Sequence, residues 1–114
     1  MQTLLPLLLN HMAEGRLSLE RLVDLTSAGA QRIYNIAGKG RIARGYDADF
    51  SIVDLKAERV ITNDWIASKC GWTPFDGMAV KGWPKATIIR GKTVMREDEV
   101  LGTPSGEKVR FVGM

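Results

Sequence analysis

Few side chains in this sequence could do chemistry on their own. The chain holds 1 histidine and 1 cysteine, whereas a metal-dependent hydrolase needs several His, Asp, Glu or Cys ligands converging on one ion. His11 follows a leucine run on an expected helix and reads as an ordinary surface or packed histidine. Asp47 and Asp49 look like half a carboxylate site, but they sit in a Gly-x-Asp-x-Asp turn that enters a strand. Local hydrogen bonding of Asx side chains to the turn is the expected role there. Cys70 follows Lys69, which would lower its pKa, yet a catalytic thiol also wants a base and the one histidine is far away in sequence. It is expected to be a structural or loop cysteine. Gly38-Lys39-Gly40 is glycine-rich and basic, but no Lys-Ser/Thr follows and the segment leaves a helix, so it is not a phosphate loop. Trp65, Trp72, Phe75 and Trp83 could form an aromatic cage or a partner surface. Packing against the remainder of a larger protein is the expected use.

The elements that carry these residues change character along the chain. Leu4, Leu5, Leu8, Leu9 and Met12 recur at helical spacing, predicting a helix over residues 2–14 with that stripe buried. Pro6 must fall in its first turn or two, where a missing N–H is tolerated, and Gly15 is the stop. Ser18 is the expected N-cap of a second helix with Glu20 in its first turn and Leu19, Leu22, Val23 and Thr26 inward. Ser27 is expected to cap a third, ending near Gly38. From there glycines alternate with β-prone runs. Phe50 to Asp54 and Arg59 to Thr62 read as two strands, with one helical turn at Trp65 capped by Asn63 or Asp64. A strand at Ala79 to Gly82 is expected to avoid a central position because of Pro84. Thr87 to Met95 reads as a hairpin turning at Arg90-Gly91, where Gly91 supplies positive φ. Residues 102–114 are expected to be loop, with a short extended piece at Val109 to Val112.

With 114 residues, 45% hydrophobic and 25% charged, the chain suits one folded domain and is neither disordered nor collagenous. Its net charge of +3 is scattered, so no basic stripe points to nucleic acid. One cysteine permits no internal disulfide, which fits a reducing cytoplasm. The opening leucine run lacks a basic flank and a cleavage site and is too short to span a bilayer, so it is read as a helix face and neither a signal peptide nor a membrane anchor.

Several stretches, in order, resemble the end of a dihydroorotase or a close relative among the cyclic amidohydrolases. Residues 2–9, Gln-Thr-Leu-Leu-Pro-Leu-Leu-Leu, are similar to the segment that follows the last metal-binding strand of that family's barrel. Residues 17–27 resemble the next two helices. Gly38-Lys39-Gly40-Arg41-Ile42-Ala43-Arg44-Gly45-Tyr46-Asp47-Ala48-Asp49 resembles the signature with which the superfamily returns to its β-rich accessory domain. Thr73-Pro74-Phe75-Asp76-Gly77 looks like the Ser/Thr-Pro-Phe/Tyr-x-Gly loop of dihydroorotases and allantoinases.

The resemblance implies an α+β chain. Residues 1–37 would be helices closing a TIM-like barrel, and residues 38–114 a β-rich accessory domain forming part of a β-sandwich. It implies a parent enzyme with zinc and a carboxylated lysine that opens or closes the cyclic amide of dihydroorotate in pyrimidine synthesis. The family's metal ligands and aspartate base lie upstream of the matching segment, so no catalytic, substrate-binding or metal residue is assigned to this chain, and no cofactor either. Its expected partner is the rest of the barrel, or a second copy meeting it through the Leu4/Leu5/Leu8/Leu9 face and open strand edges, with no nucleic acid and no membrane. An allantoinase or hydantoinase segment, an inactive homologue that binds a partner enzyme, and a stand-alone β-rich interaction module are the alternatives.

Overall fold

The structure, a computed structural model, describes residues 1–113. Its order is α1 (Leu4–Ala13), α2 (Leu19–Val23), a π-helical turn (Asp24–Ala28), α3 (Gly29–Tyr34), β1 (Phe50–Val60), a 3-10 turn (Asn63–Trp65), β2 (Ala79–Ile89), β3 (Lys92–Arg96) and β4 (Glu99–Val100). The expected α+β segregation holds, with helices first and an antiparallel sheet of order β1-β2-β3-β4 after them.

Helix α1 tolerates Pro6 in its first turn and ends at Gly15, whose φ is +80°. The buried line differs from the expected stripe. Leu9 is 1% exposed while Leu4 is 51% exposed, and Pro6 and Asn10 share the covered face with Leu9. The cause is β2, which approaches so closely that its glycine, not a side chain, meets the helix. A Cβ on Gly82 would lie 2.7 Å from Leu9 Cβ, and φ there is +101°. Asn10 is turned inward because Lys81 N donates to its Oδ1 at 3.0 Å. That bond satisfies a strand amide where β1 bulges: Leu55, Lys56 and Ala57 stand opposite Gly82 alone.

Ser18 caps α2 as expected, accepting from Arg21 N at 3.1 Å. Ser27 caps nothing. It lies inside the π-helical turn, which runs α2 straight into α3. The widened turn needs Gly29, since a Cβ there would sit 2.4 Å from Asp24 O. α3 stops at Tyr34, short of Gly38, because Asn35 adopts the left-handed conformation at φ 54°. Of the inward stripe expected here only Leu22 is buried; Leu19 and Val23 are about half exposed.

The two strands expected at Phe50–Asp54 and Arg59–Thr62 are one strand, β1, interrupted by its bulge. Pro84 lies in the central strand after all. It fits because β3 pairs only with Ala86–Ile89, so Pro84 has a ladder on one side, next to a second bulge opposite Ile52 and Val53. The hairpin turns at Arg90-Gly91 with both residues at positive φ, 51° and 79°, as a two-residue I′ turn requires. The extended tail segment also forms, and its partner is the end of α3: Ile36 bridges Phe111, with Ala37 N donating to Arg110 O and Val112 N to Asn35 O, each at 2.8 Å. The apolar core is small, with Ile61, Val80 and Trp83 at its centre and Leu7, Ala57, Trp65 and Met78 around them.

Candidate functional site

Two polar constellations form. In the first, Lys39 Nζ is gripped between Asp47 at 3.0 Å and Asp49. Asp49 Oδ1 also accepts from Arg90 N at 2.8 Å, Ala48 O accepts from Gly91 N at 2.9 Å, and Asp47 N donates to Gly38 O at 2.8 Å. The Arg90 guanidinium lies 3.8 Å from Asp47 and 3.3 Å from Glu107. The two aspartates are therefore not held by local turn bonds as expected. They clasp loop 38–49 to the β2–β3 turn, with Arg90 reaching the tail. Hydrogen bonding to Asp49 and then Asp47 raises the Lys39 pKa, and the Lys39 bond, helped by Arg90 N, lowers that of Asp49. A carboxylate pair already neutralised by a lysine is poorly suited to a metal ion.

In the second, Trp65 and Trp83 meet at 4.6 Å between ring centroids. Both indole N–H groups donate to Asp98 Oδ1, at 3.1 Å and 2.9 Å. The other two aromatics stay outside: Trp72 is 61% exposed and Phe75 36%. Four aromatics thus give one packed pair and two surface side chains. Their loop is nonetheless well tied, since Asn63 Oδ1 accepts from Thr73 N and Asp76 Oδ1 from Asn63 N, both at 2.8 Å.

The remaining candidates stay apart. His11 is half-buried on α1. Glu14, one turn beyond it, meets Asn10 and Arg16. Cys70 is exposed, its thiol lowered by the Ser68 side-chain hydrogen bond and the Trp72 backbone, and not by Lys69. Among the described residues no three His, Cys, Asp or Glu side chains come together as a metal site. The donor set among the described residues does not fit the zinc that the family resemblance implies.

Sequence reading missed Asn10, Asp98 and Arg90 as organising residues. Asn10 carried a signal, being polar beside an apolar helix stripe. Asp98 carried none, because its two donors lie 33 and 15 residues away.

This arrangement has close counterparts. A match to the amidohydrolase family spans residues 1–94, and the chain belongs to that family. It is 43% identical over 109 residues to a dihydroorotase of Pyrococcus furiosus, covering 96% of this chain and 26% of that protein. It is 39% identical to an allantoinase of Rubrobacter xylanophilus, covering 96% and 24%. Among solved structures, the L-hydantoinase of Arthrobacter aurescens superposes with a TM-score of 0.79 at 38% identity, over 86% of this chain and 22% of that one. Across its length the chain is a dihydroorotase-like piece of the family, spanning about a quarter of the curated relatives it matches.

Proposed function

We propose that this chain is the C-terminal segment of a dihydroorotase-type zinc amidohydrolase, with residues 1–37 closing the barrel and residues 38–114 contributing part of a β-sandwich accessory domain. The parent reaction is the reversible hydrolysis of dihydroorotate to N-carbamoyl-aspartate. Water adds across the ring amide, the carbonyl carbon taking the hydroxyl and the nitrogen the proton, and the C–N bond breaks. Zinc and every catalytic residue come from the barrel upstream, and this segment binds no metal and turns over no cyclic amide. The carrying observation is near-complete alignment to dihydroorotases three to four times its size, at 43% identity, in a chain whose described residues gather no metal ligands.

Exposed surface supports the partner. The chain exposes 8251 Å², against about 6,200 Å² for a compact monomer of its mass. The excess of roughly 2,000 Å² matches a substantial protein interface. Leu4, Leu19, Val23, Leu25 and Ile33 are all exposed on the helices, where the barrel would sit. A second copy is the alternative cover for the isolated chain.

The test is direct. The full-length gene product should hydrolyse dihydroorotate in preference to allantoin and hydantoin, and the isolated chain should show neither activity nor stoichiometric zinc by elemental analysis. Preferred turnover of allantoin or hydantoin would move the parent to the second reading, which the allantoinase and hydantoinase matches favour. Chelator-sensitive activity in the isolated chain would overturn the proposal.

A further inference from the structure

A cavity of about 370 Å³ opens beside the paired tryptophans, walled by Leu5, Pro84, Met95, Val100 and Trp65, with Asp98 as its one charged side chain. We infer that it is a binding site for an organic monocation on a short aliphatic stem, an alkylammonium or alkylguanidinium. The inference is independent of the parent reaction.

The cavity is preformed. Gln2 fastens the start of α1 across it, its Nε2 donating to Trp65 O and its Oε1 accepting from Ala67 N, both at 2.9 Å. Asp98 is fixed as firmly, because two indoles share its Oδ1. Its Oδ2 has no side-chain or ion-pair partner among the described residues; Lys85 of β2 pairs with Glu97 at 3.3 Å, and the Arg59 guanidinium lies over the Trp83 ring, 6.0 Å from its centroid. A neutral guest would fill the apolar walls and leave the exposed carboxylate of Asp98 unanswered. An anion would be repelled. A cation gains a charge-assisted bond to that carboxylate, its stem covers the apolar wall, and a flat guanidinium can also stack on the face of Trp65, which lines the cavity. Volume also fits, since small-molecule sites begin at roughly 300 Å³.

The experiment titrates the chain with n-butylguanidinium, n-butylammonium and neutral n-butanol while following the indole N–H resonances by ¹H–¹⁵N correlation NMR. Both cations should shift the Trp65 and Trp83 signals saturably and leave exposed Trp72 as an unmoved reference. Added salt should weaken the binding. Asp98→Asn is the decisive variant, because the amide oxygen still accepts both indole N–H groups while the charge is gone. It should keep the native spectrum and bind the cations roughly threefold to fivefold more weakly, in line with a solvent-accessible ion pair. Equal binding of n-butanol, unchanged cation binding in Asp98→Asn, or shifts confined to Trp72 would each overturn the site. If Asp98→Asn loses its spectrum, the salt dependence and the butanol comparison in the unaltered chain decide in its place.

Discussion

Helix α1 and the run from α2 to α3 are both short, amphipathic and leucine-rich, yet only α1 is anchored. It lies on β2, with Leu9 1% exposed against Gly82 and Asn10 bonded to Lys81. The second run buries Leu22 and leaves Leu19, Val23, Leu25, Ile33 and Tyr34 open. Equal patterns have had unequal fates because a stripe stabilises a helix only where another surface removes it from water. The sheet supplies such a surface to α1 alone. The helical run is held instead by its cap, by the Arg21–Asp24–Arg32 ion pairs at 3.0 and 2.9 Å, and by the tail pairing at Ile36.

Trp83→Ala should separate the two regions most sharply. Emptying the core costs about 3–5 kcal/mol, a large share of a small domain's stability, and the near-ultraviolet circular dichroism of the tryptophans should vanish. Retention of a cooperative melt within a few degrees of the parent chain would mean that the sheet is not the stabilising region. Gly82→Ala comes next, at about 2–4 kcal/mol, since the new methyl meets Leu9 and the residue is strained at positive φ. Hydrogen exchange should then show α1 losing protection ahead of β2 and β3. Equal loss in all three would show that the helix and sheet open as one unit.

Ser18→Ala probes the weaker region, and loss of the cap should cost about 1 kcal/mol. Faster exchange should be confined to residues 19–34, with the indole resonances unmoved; spread into the sheet would erase the contrast between the regions. The smallest effect is expected from the clasp. Asp49 is lowered by Lys39, so its contribution is complete above about pH 4 and fades as pH falls through the depressed value. Lys39 is raised, so its contribution is complete below about pH 10.4 and is lost only as pH rises through the elevated value. Asp49→Asn should flatten the acid side of a plot of denaturant midpoint against pH and leave the neutral plateau slightly lower. An unchanged acid slope would show that the clasp adds nothing to stability, as partly exposed ion pairs often do not.

The amino-acid sequence by itself determined the α+β order, the α2 cap at Ser18, the stop at Gly15 and the Arg90-Gly91 hairpin, which depend on neighbours within a few residues; the extended tail piece was legible too, but its partner at Ile36 was not. It also carried the family, through the run from Gly38 to Asp49. Only the tertiary structure decided which face of α1 is covered, why Pro84 can occupy a central strand, and that Asp47 and Asp49 grip Lys39 and the hairpin instead of their own turn. Asp98 belongs with these, since its indole donors converge on it from distant segments. Local propensity reads bonds that close within a turn; bulges, close backbone approach and shared acceptors arise only once the chain has brought separate elements together.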